Sequence, residues 1–380
     1  MDETSAVDPL DFIDLEGLAA LLAELTRRGY RLIGPTVDQG AISLRNIAGV
    51  DDLPRGVGEE QEAGTYRLVR RNDDLMFGWA HGPQSGKGFL FPSRELVSVA
   101  SRREGRLEFQ PPPEEEPPFA FIGLRSCDLH AIEVQDRTFL DRDPAYTRRR
   151  RSAFFIGVNC STPGGTCFCT SMGTGPRCTL GFDLALTELG TGFTIQVGSQ
   201  AGAEMLKSIT NRPATSDETE ASLEVTRRAE RSMGRSLDTS DLPDLLYRNP
   251  DSPRWTDVAN RCLSCTNCTM VCPTCFCHDV VDASDLLGQE ATRTREWASC
   301  FSEEHSHIVG GPVRTTGESR YRQWLTHKFA SWIDQFGTSG CIGCGRCITW
   351  CPVGIDVTEE ISAIRDLEQE ARVDPEVPPS

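Results

Sequence analysis

The sequence predicts an α+β fold in two parts: an α/β-like N-terminal domain over residues 1–253 and a smaller, cysteine-ligated C-terminal domain over residues 254–380. Three observations predict it. Apolar runs with strand and helix periods alternate along the front of the chain. Ten of the sixteen cysteines crowd into Cys262–Cys277 and Cys341–Cys351, and none precedes Cys127. Between the two regions runs a polar stretch from Asn211 that closes on the turn-like Asn249-Pro250-Asp251-Ser252-Pro253. At 380 residues the chain is long enough for two or three domains with real cores.

Taken in order, Leu15 to Arg28 carries Leu18, Leu21, Leu22 and Leu25 at i, i+3, i+4 and i+7, an amphipathic helix that Gly29 stops. Tyr30 to Ile33, Thr65 to Val69 and Phe89 to Phe91 read as short strands among glycines. Gln110 opens the run Pro111-Pro112-Pro113-Glu114-Glu115-Glu116-Pro117-Pro118, read as a solvated extended loop. Phe119 to Leu124 then reads as a buried strand, Asp128 to Leu140 as a helix and Ala153 to Val158 as a second strand, a βαβ-like unit. Cys127 and Cys160 fall just past the C-terminal ends of those strands, where open α/β sheets place ligands. Gly192 to Val197 extends the sheet, and Asn211 to Pro253 reads as a linker or solvated helix.

The formal charge of −17 repels phosphate backbones and anionic lipid, which argues against nucleic acid and basic-patch membrane binding. No run approaches the roughly 20 apolar residues of a membrane-spanning helix, and Met1 to Pro9 is acidic where a signal peptide is basic and then apolar. The expectation is a cytoplasmic protein whose cysteines are reduced thiols or metal ligands.

The cysteines repeat. Cys262-x2-Cys265-x2-Cys268-x3-Cys272-Pro273 is matched by Cys341-x2-Cys344-x2-Cys347-x3-Cys351-Pro352. This is the bacterial two-cluster ferredoxin spacing, which makes the rear a ferredoxin-like domain with two [4Fe-4S] clusters. In that spacing three thiolates wrap one cubane and the fourth reaches the other. One cluster then takes Cys262, Cys265, Cys268 and Cys351; the other takes Cys341, Cys344, Cys347 and Cys272. Zinc also uses Cys-x2-Cys pairs, but has no need of the third and fourth cysteines at these intervals, nor of proline after the fourth, in both copies. Gly343 and Gly345 leave room for backbone N–H groups to approach sulfur, whereas the first loop carries Ser264, Thr266 and Asn267. Phe276, Ile342, Ile348, Trp350, Val353 and Ile355 supply apolar cover.

Five cysteines lie in the front: Cys127, Cys160, Cys167, Cys169 and Cys178. Gly164-Gly165-Thr166-Cys167-Phe168-Cys169 has the look of a flexible metal-binding loop on which the two strand-end thiols could converge; the alternative is that Cys127 and Cys160 are small buried hydrophobes. Cys275, Cys277 and Cys300 either pack against the clusters, hold a further metal with His278, or are redox active. Gly86-Lys87-Gly88 lacks the Walker spacing, His305 and His307 read as a solvated turn, and no Gly-x-Gly-x-x-Gly fingerprint offers a flavin or nicotinamide site. No catalytic residue is assigned.

In Cys127-Asp128, Asn159-Cys160, Cys167-Phe168-Cys169, Gly181-Phe182-Asp183-Leu184, Cys272-Pro273-Thr274-Cys275-x-Cys277, Trp297-x2-Cys300, Gly310-Gly311 and Arg320-Tyr321-Arg322, together with the two loops, the chain resembles a known family. It is similar to the beta subunits of soluble NADP-linked nickel–iron hydrogenases, the sulfhydrogenases, and to the A subunit of anaerobic sulfite reductase. The resemblance implies an electron carrier between a flavin- and NAD(P)-binding subunit and the hydrogenase small and large subunits, or a sulfite reductase catalytic subunit. It also implies a third cluster on Cys127, Cys160, Cys167 and Cys169, with Cys178 outside the pattern. An iron–sulfur sensor is the reading from a different class, and the charge argues against its acting on nucleic acid.

Overall fold

The computed structural model describes residues 9–103, 106–110 and 117–373, so the ends of the chain and most of the proline–glutamate loop lie outside it. Strands run in chain order as β1 (Asp11–Ile13), β2 (Arg31–Asp38), β3 (Ala41–Asn46), β4 (Val57–Glu62), β5 (Thr65–Arg70), β6 (Arg94–Arg103), β7 (Arg106–Gln110), β8 (Phe119–Leu124), β9 (Phe154–Val158), β10 (Leu184–Glu188), β11 (Phe193–Val197), β12 (Arg212–Pro213), β13 (His278–Ser284) and β14 (Glu290–Trp297).

The front is a mixed sheet in the order β12-β1-β11-β10-β9-β8-β2-β3. Its centre is parallel, β10 to β9 to β8 to β2, and its flanks are antiparallel. Alternation across the pleat divides β8 and β9 between two cores. Ala120, Ile122, Phe154, Ile156 and Val158 face the helix Leu15–Arg27 through Leu18, Leu21, Leu22 and Leu25. Phe121 and Phe155 face the helix Ser126–Phe139 through Leu129, Ile132 and Phe139. The helix Leu15–Arg27 is capped by Asp14, whose side chain accepts from Gly17 N at 2.9 Å. The result is a three-layer α/β body whose central strands end at Leu124 and Val158, just short of Cys127 and Cys160.

The rear core gathers Trp255, Phe301, Tyr321, Trp324, Phe329, Ile348, Ile355, Ile361 and Ile364. Two expectations need correction here. Phe89 to Phe91 is not a strand: Lys87–Leu90 forms one helical turn, with Leu90 and Phe91 fully buried, a run too short for its period to tell the two apart. Nor is all of the stretch from Asn211 to Pro253 solvated, because the helix Leu242–Arg248 inserts Leu242, Leu245 and Leu246 into the rear core. Front and rear also share a sheet, β13-β14-β6-β7, in which β14 from the rear pairs antiparallel with β6 from the front. Among the described residues no helix is long and apolar enough to cross a membrane.

Candidate metal centres

The two rear loops are built alike. Ser264 and Thr266 follow Cys262 by two and four residues with φ of +48° and +69°; Gly343 and Gly345 follow Cys341 likewise with φ of +67° and +75°. In each loop this left-handed backbone turns an amide onto the first sulfur: Ser264 N donates to Cys262 Sγ and Gly343 N to Cys341 Sγ, both at 3.4 Å. What differs is the surroundings. A Cβ on Gly343 would stand 2.6 Å from Phe168 O, and one on Gly345 2.2 Å from Thr166 O. The first loop is more open: Leu263 and Cys265 are exposed, and Ser264 and Thr266 are half-buried. Glycine is therefore required only where the front segment Thr166–Cys169 packs on the loop; elsewhere Ser and Thr carry the strain of positive φ.

The thiols fall into three sets. Cys262, Cys265, Cys268 and Cys351 line one small pocket together with Cys347, walled by Phe301, Tyr321, Trp324, Ile355 and Val357. Ile355 N donates to Cys351 Sγ at 3.3 Å. Burial pushes the Cys268 thiol up, and its neighbours Cys300, Cys262 and Cys351 add to the effect. In the second set, burial raises Cys347, reinforced by Cys341, Cys344 and Cys272, and Cys341 is pushed up to about 12. Cys272 behaves differently. It is held well below the usual thiol range, chiefly by a hydrogen bond with Cys275, then by Lys328 and Thr274, while Cys275 is pushed up. Lys328 feels the opposite pull: burial disfavours its charge, but Cys272, Cys275 and Cys341 outweigh burial and raise its pKa.

The third set lies in the front. Cys127, Cys160, Cys167 and Cys169 line an enclosed pocket with Ala80, His81, Arg125 and, from the rear, Cys344. Arg125, 2 % exposed, donates to the carbonyls of Phe77, Trp79, Ala80, Val158 and Asn159, and so locks the strand ends that position the pocket. Burial and the neighbours Asp128 and Cys169 raise Cys127, while Cys169 is pushed up to about 12 by burial, Cys160 and Cys344. Crowded buried thiols of this kind lose their protons together only if a cation compensates them, as thiolate-bound iron does. Among the described residues no three His, Cys, Asp or Glu side chains converge as one metal ion requires. Cys178 lies outside this pocket, packed against Leu129 and Phe155, with its N–H donated to Asn159 Oδ1 at 2.7 Å.

The three sets abut in order. Cys344 belongs to the second loop and lines the front pocket, and Cys347 belongs to the second loop and lines the first-loop pocket. The seam between front and rear is closed by Phe168 N donating to Gly343 O at 2.8 Å, by the hydroxyls of Thr166 and Thr349 at 2.7 Å, and by Thr174 Oγ1 donating to Ile342 O at 2.5 Å. Sequence reasoning did not find His81, Arg125, Lys328 or Arg346, which have no spacing signal. His81 Nε2 contacts Cys344 O and lies 3.6 Å from Cys167 Sγ, and burial holds its pKa well below the ordinary histidine value. One compositional signal was available: the chain has three lysines, Lys87, Lys207 and Lys328, against 36 arginines, and two of the three are buried beside Cys275.

The 4Fe-4S dicluster domain family matches residues 261–355, which takes in all eight cysteines of the two loops. No solved structure matches the chain. The chain is 32% identical, over 324 residues, to sulfhydrogenase 2 subunit beta of Pyrococcus furiosus, a match spanning 83% of this chain and 93% of that protein. A match of that length cannot be confined to the cysteine-rich rear, and the chain belongs to the family of sulfhydrogenase beta subunits.

Proposed function

We propose that this iron–sulfur electron-transfer subunit relays electrons between a flavin- and NAD(P)-binding subunit and a nickel–iron hydrogenase module. The observation that carries the reading is the contiguity of the three thiol sets, with the second-loop set in the middle through Cys344 and Cys347. Bound there, [4Fe-4S] clusters exchange single electrons at potentials that extend low enough for nicotinamide or dihydrogen. The assignment is two clusters in the rear, on Cys262, Cys265, Cys268 and Cys351 and on Cys341, Cys344, Cys347 and Cys272, and a third on Cys127, Cys160, Cys167 and Cys169.

The chain's own residues do the rest. Aromatic and aliphatic walls cover the first-loop thiols on their inner side, backbone amides donate to sulfur, and Arg125 fixes the front pocket. At the exposed end, Cys265 and Leu263 give one terminus of the series a short path to a partner. We keep the division at 253/254 as a functional boundary, between one cluster in front and two behind. The pairing of β14 with β6 makes it a boundary within an interlocked structure. A sulfhydrogenase relative favours the hydrogenase partner over the sulfite reductase one.

The test is the reconstituted complex. With the flavin subunit and the hydrogenase subunits present, NAD(P)H should drive dihydrogen formation. Cys344→Ser should abolish that reaction while leaving flavin reduction by NAD(P)H intact, because the break lies downstream of hydride transfer. Undiminished coupled turnover, or rapid NAD(P)H oxidation by the chain alone, overturns the relay.

A further inference from the structure

We propose that the buried ammonium group of Lys328 is a built-in charge that raises the reduction potential of the centre on Cys272, Cys341, Cys344 and Cys347. The proposal rests on the cluster assignment above and goes beyond it, to what sets the energy of the middle station.

Lys328 sits on a π-helical turn, His327–Ser331, between the helices Gly317–Thr326 and Trp332–Phe336. Such turns widen the backbone and re-aim a side chain, and they recur at functional positions. Here the side chain is aimed inward and is 4 % exposed. Its Nζ donates to Thr274 Oγ1 at 3.0 Å and to Gly340 O at 3.2 Å, both neutral oxygens. Among the described residues it forms no ion pair with a carboxylate. A buried ammonium without a carboxylate is costly unless another anion faces it. Sulfur stands next in line: Thr274 Oγ1, which accepts from Nζ, lies 3.1 Å from Cys272 Sγ, and Gly340, whose carbonyl also accepts from Nζ, immediately precedes Cys341.

The hydrogen bonds fit that counter-ion. Thr274 Oγ1 is 3.1 Å from Cys272 Sγ and 2.7 Å from Gly340 O, and its single hydroxyl proton can serve one of them at a time. Gly340 O accepts from both Lys328 Nζ and Thr274 Oγ1, so the ammonium, the threonine hydroxyl and the Cys272 sulfur stand in one hydrogen-bonded chain. The ammonium thus acts on the sulfur both through space and through the threonine.

A second buried ammonium flanks the same segment. Lys87 Nζ reaches the carbonyls of Met270 and Cys275 at 3.4 Å and lies 3.7 Å from the centroid of the Trp297 ring. A chain that places arginine at 36 of its 39 cationic positions keeps lysine at these two. The compact ammonium is a point charge that a planar guanidinium does not replace in a closed site. No lysine or arginine lines the first-loop pocket. Reduction adds one negative charge to a centre, and fixed positive charge close by, screened by little solvent, favours it.

The experiment is an EPR-monitored redox titration of the full chain prepared anaerobically, with iron and acid-labile sulfide counted in each sample. Lys328→Gln and Lys328→Met remove the charge, the first keeping hydrogen-bond donors; Lys207→Met is the exposed control. Both Lys328 variants should retain the wild-type iron count and lower the midpoint of one cluster, by a tenfold change in its reduced-to-oxidised ratio, about 59 mV for one electron. Lys207→Met should change nothing, and Lys87→Met should shift the same cluster in the same direction. Unchanged or raised midpoints at full iron content overturn the proposal. So does loss of iron in both Lys328 variants, which would make Lys328 a structural support. A wild-type chain without iron and sulfide would instead sink the cluster assignment itself, so the two failures are distinguishable.

Discussion

Arg346 of the second rear loop and Asp128 of the front helix form a buried ion pair, Nη2 to Oδ1 at 2.9 Å, with the side chains 1% and 6% exposed. The approach lies off hydrogen-bonding angles: among the described residues Asp128 Oδ1 has no hydrogen-bond partner, nor has Arg346 Nη1, while Nε donates to Gly82 O at 2.9 Å. The pair therefore acts as charge compensation between the two halves of the chain. Asp128→Asn leaves a buried guanidinium uncompensated and should cost about 3 to 5 kcal/mol, as broken buried pairs do. Chemical denaturation of the anaerobic protein reads the loss. Adding Arg346→Met should recover part of it, and strict additivity of the two changes would show that the groups do not interact.

Gly345 predicts a contrast with its counterpart in the first loop. Gly345→Ala places a Cβ 2.2 Å from Thr166 O at a φ of +75°. That backbone can yield only by opening the seam to the front. The substitution should destabilise by at least about 2 kcal/mol from strain and lost packing, and should loosen the front pocket that Cys344 helps to line. Thr266→Gly, at the equivalent position with φ of +69°, relieves strain in an open loop and should be neutral or stabilising by up to about 1 kcal/mol. Equal effects at the two positions would contradict the role given to the front segment.

What the sequence made legible was what has a period or a fixed spacing. The strand from Phe119 to Leu124 lies as expected, the helix Ser126–Phe139 starts two residues early, and the cysteine repeat marks the dicluster domain. The placement of Cys127 and Cys160 past two parallel strands also followed from the βαβ reading. What stayed hidden depends on contacts between distant residues. Arg125 reaches back 48 residues to Phe77, Arg346 reaches 264 to Gly82, and Lys328 reaches 54 to Thr274. The glycines of the second loop were visible as glycines, but the reason for them is Thr166 and Phe168, more than 170 residues earlier.

The helix Val357–Val373, which carries Glu368, offers a prediction with a defined pH sign. Arg248 Nε donates to Glu368 Oε1 at 2.9 Å, and that bond, helped by Asn249, holds the Glu368 carboxyl down at about 2 from an ordinary 4.5. A depressed carboxyl contributes stability that is present above its unfolded pKa and disappears as pH falls through its folded pKa. Glu368→Gln should therefore lower stability at neutral pH, by less than about 1 kcal/mol for a pair at the surface. The difference from wild type should shrink between pH 4.5 and about 2. A difference that grows on acidification would mean that the pair is not the source.

The front pocket yields the most direct test of its chemistry, because two cysteines near it should behave oppositely. Cys160 lines the pocket with Cys127, Cys167 and Cys169, and its N–H is held by Pro176 O at 3.1 Å. Cys178 is just as buried but turned into the sheet-facing core, its sulfur 3.0 Å from where a Cβ on Gly157 would stand. Cys160→Ser removes one of four thiolate donors and should lower the iron count of the anaerobic protein by about one to four atoms, depending on whether a three-iron form survives. Cys178→Ser should leave the iron count unchanged and cost about 1 to 3 kcal/mol, because it buries a hydroxyl among Leu129, Phe155 and Phe182. Iron analysis together with denaturation separates the two effects. Full iron in Cys160→Ser, or iron loss in Cys178→Ser, would move the third centre off the four residues assigned to it.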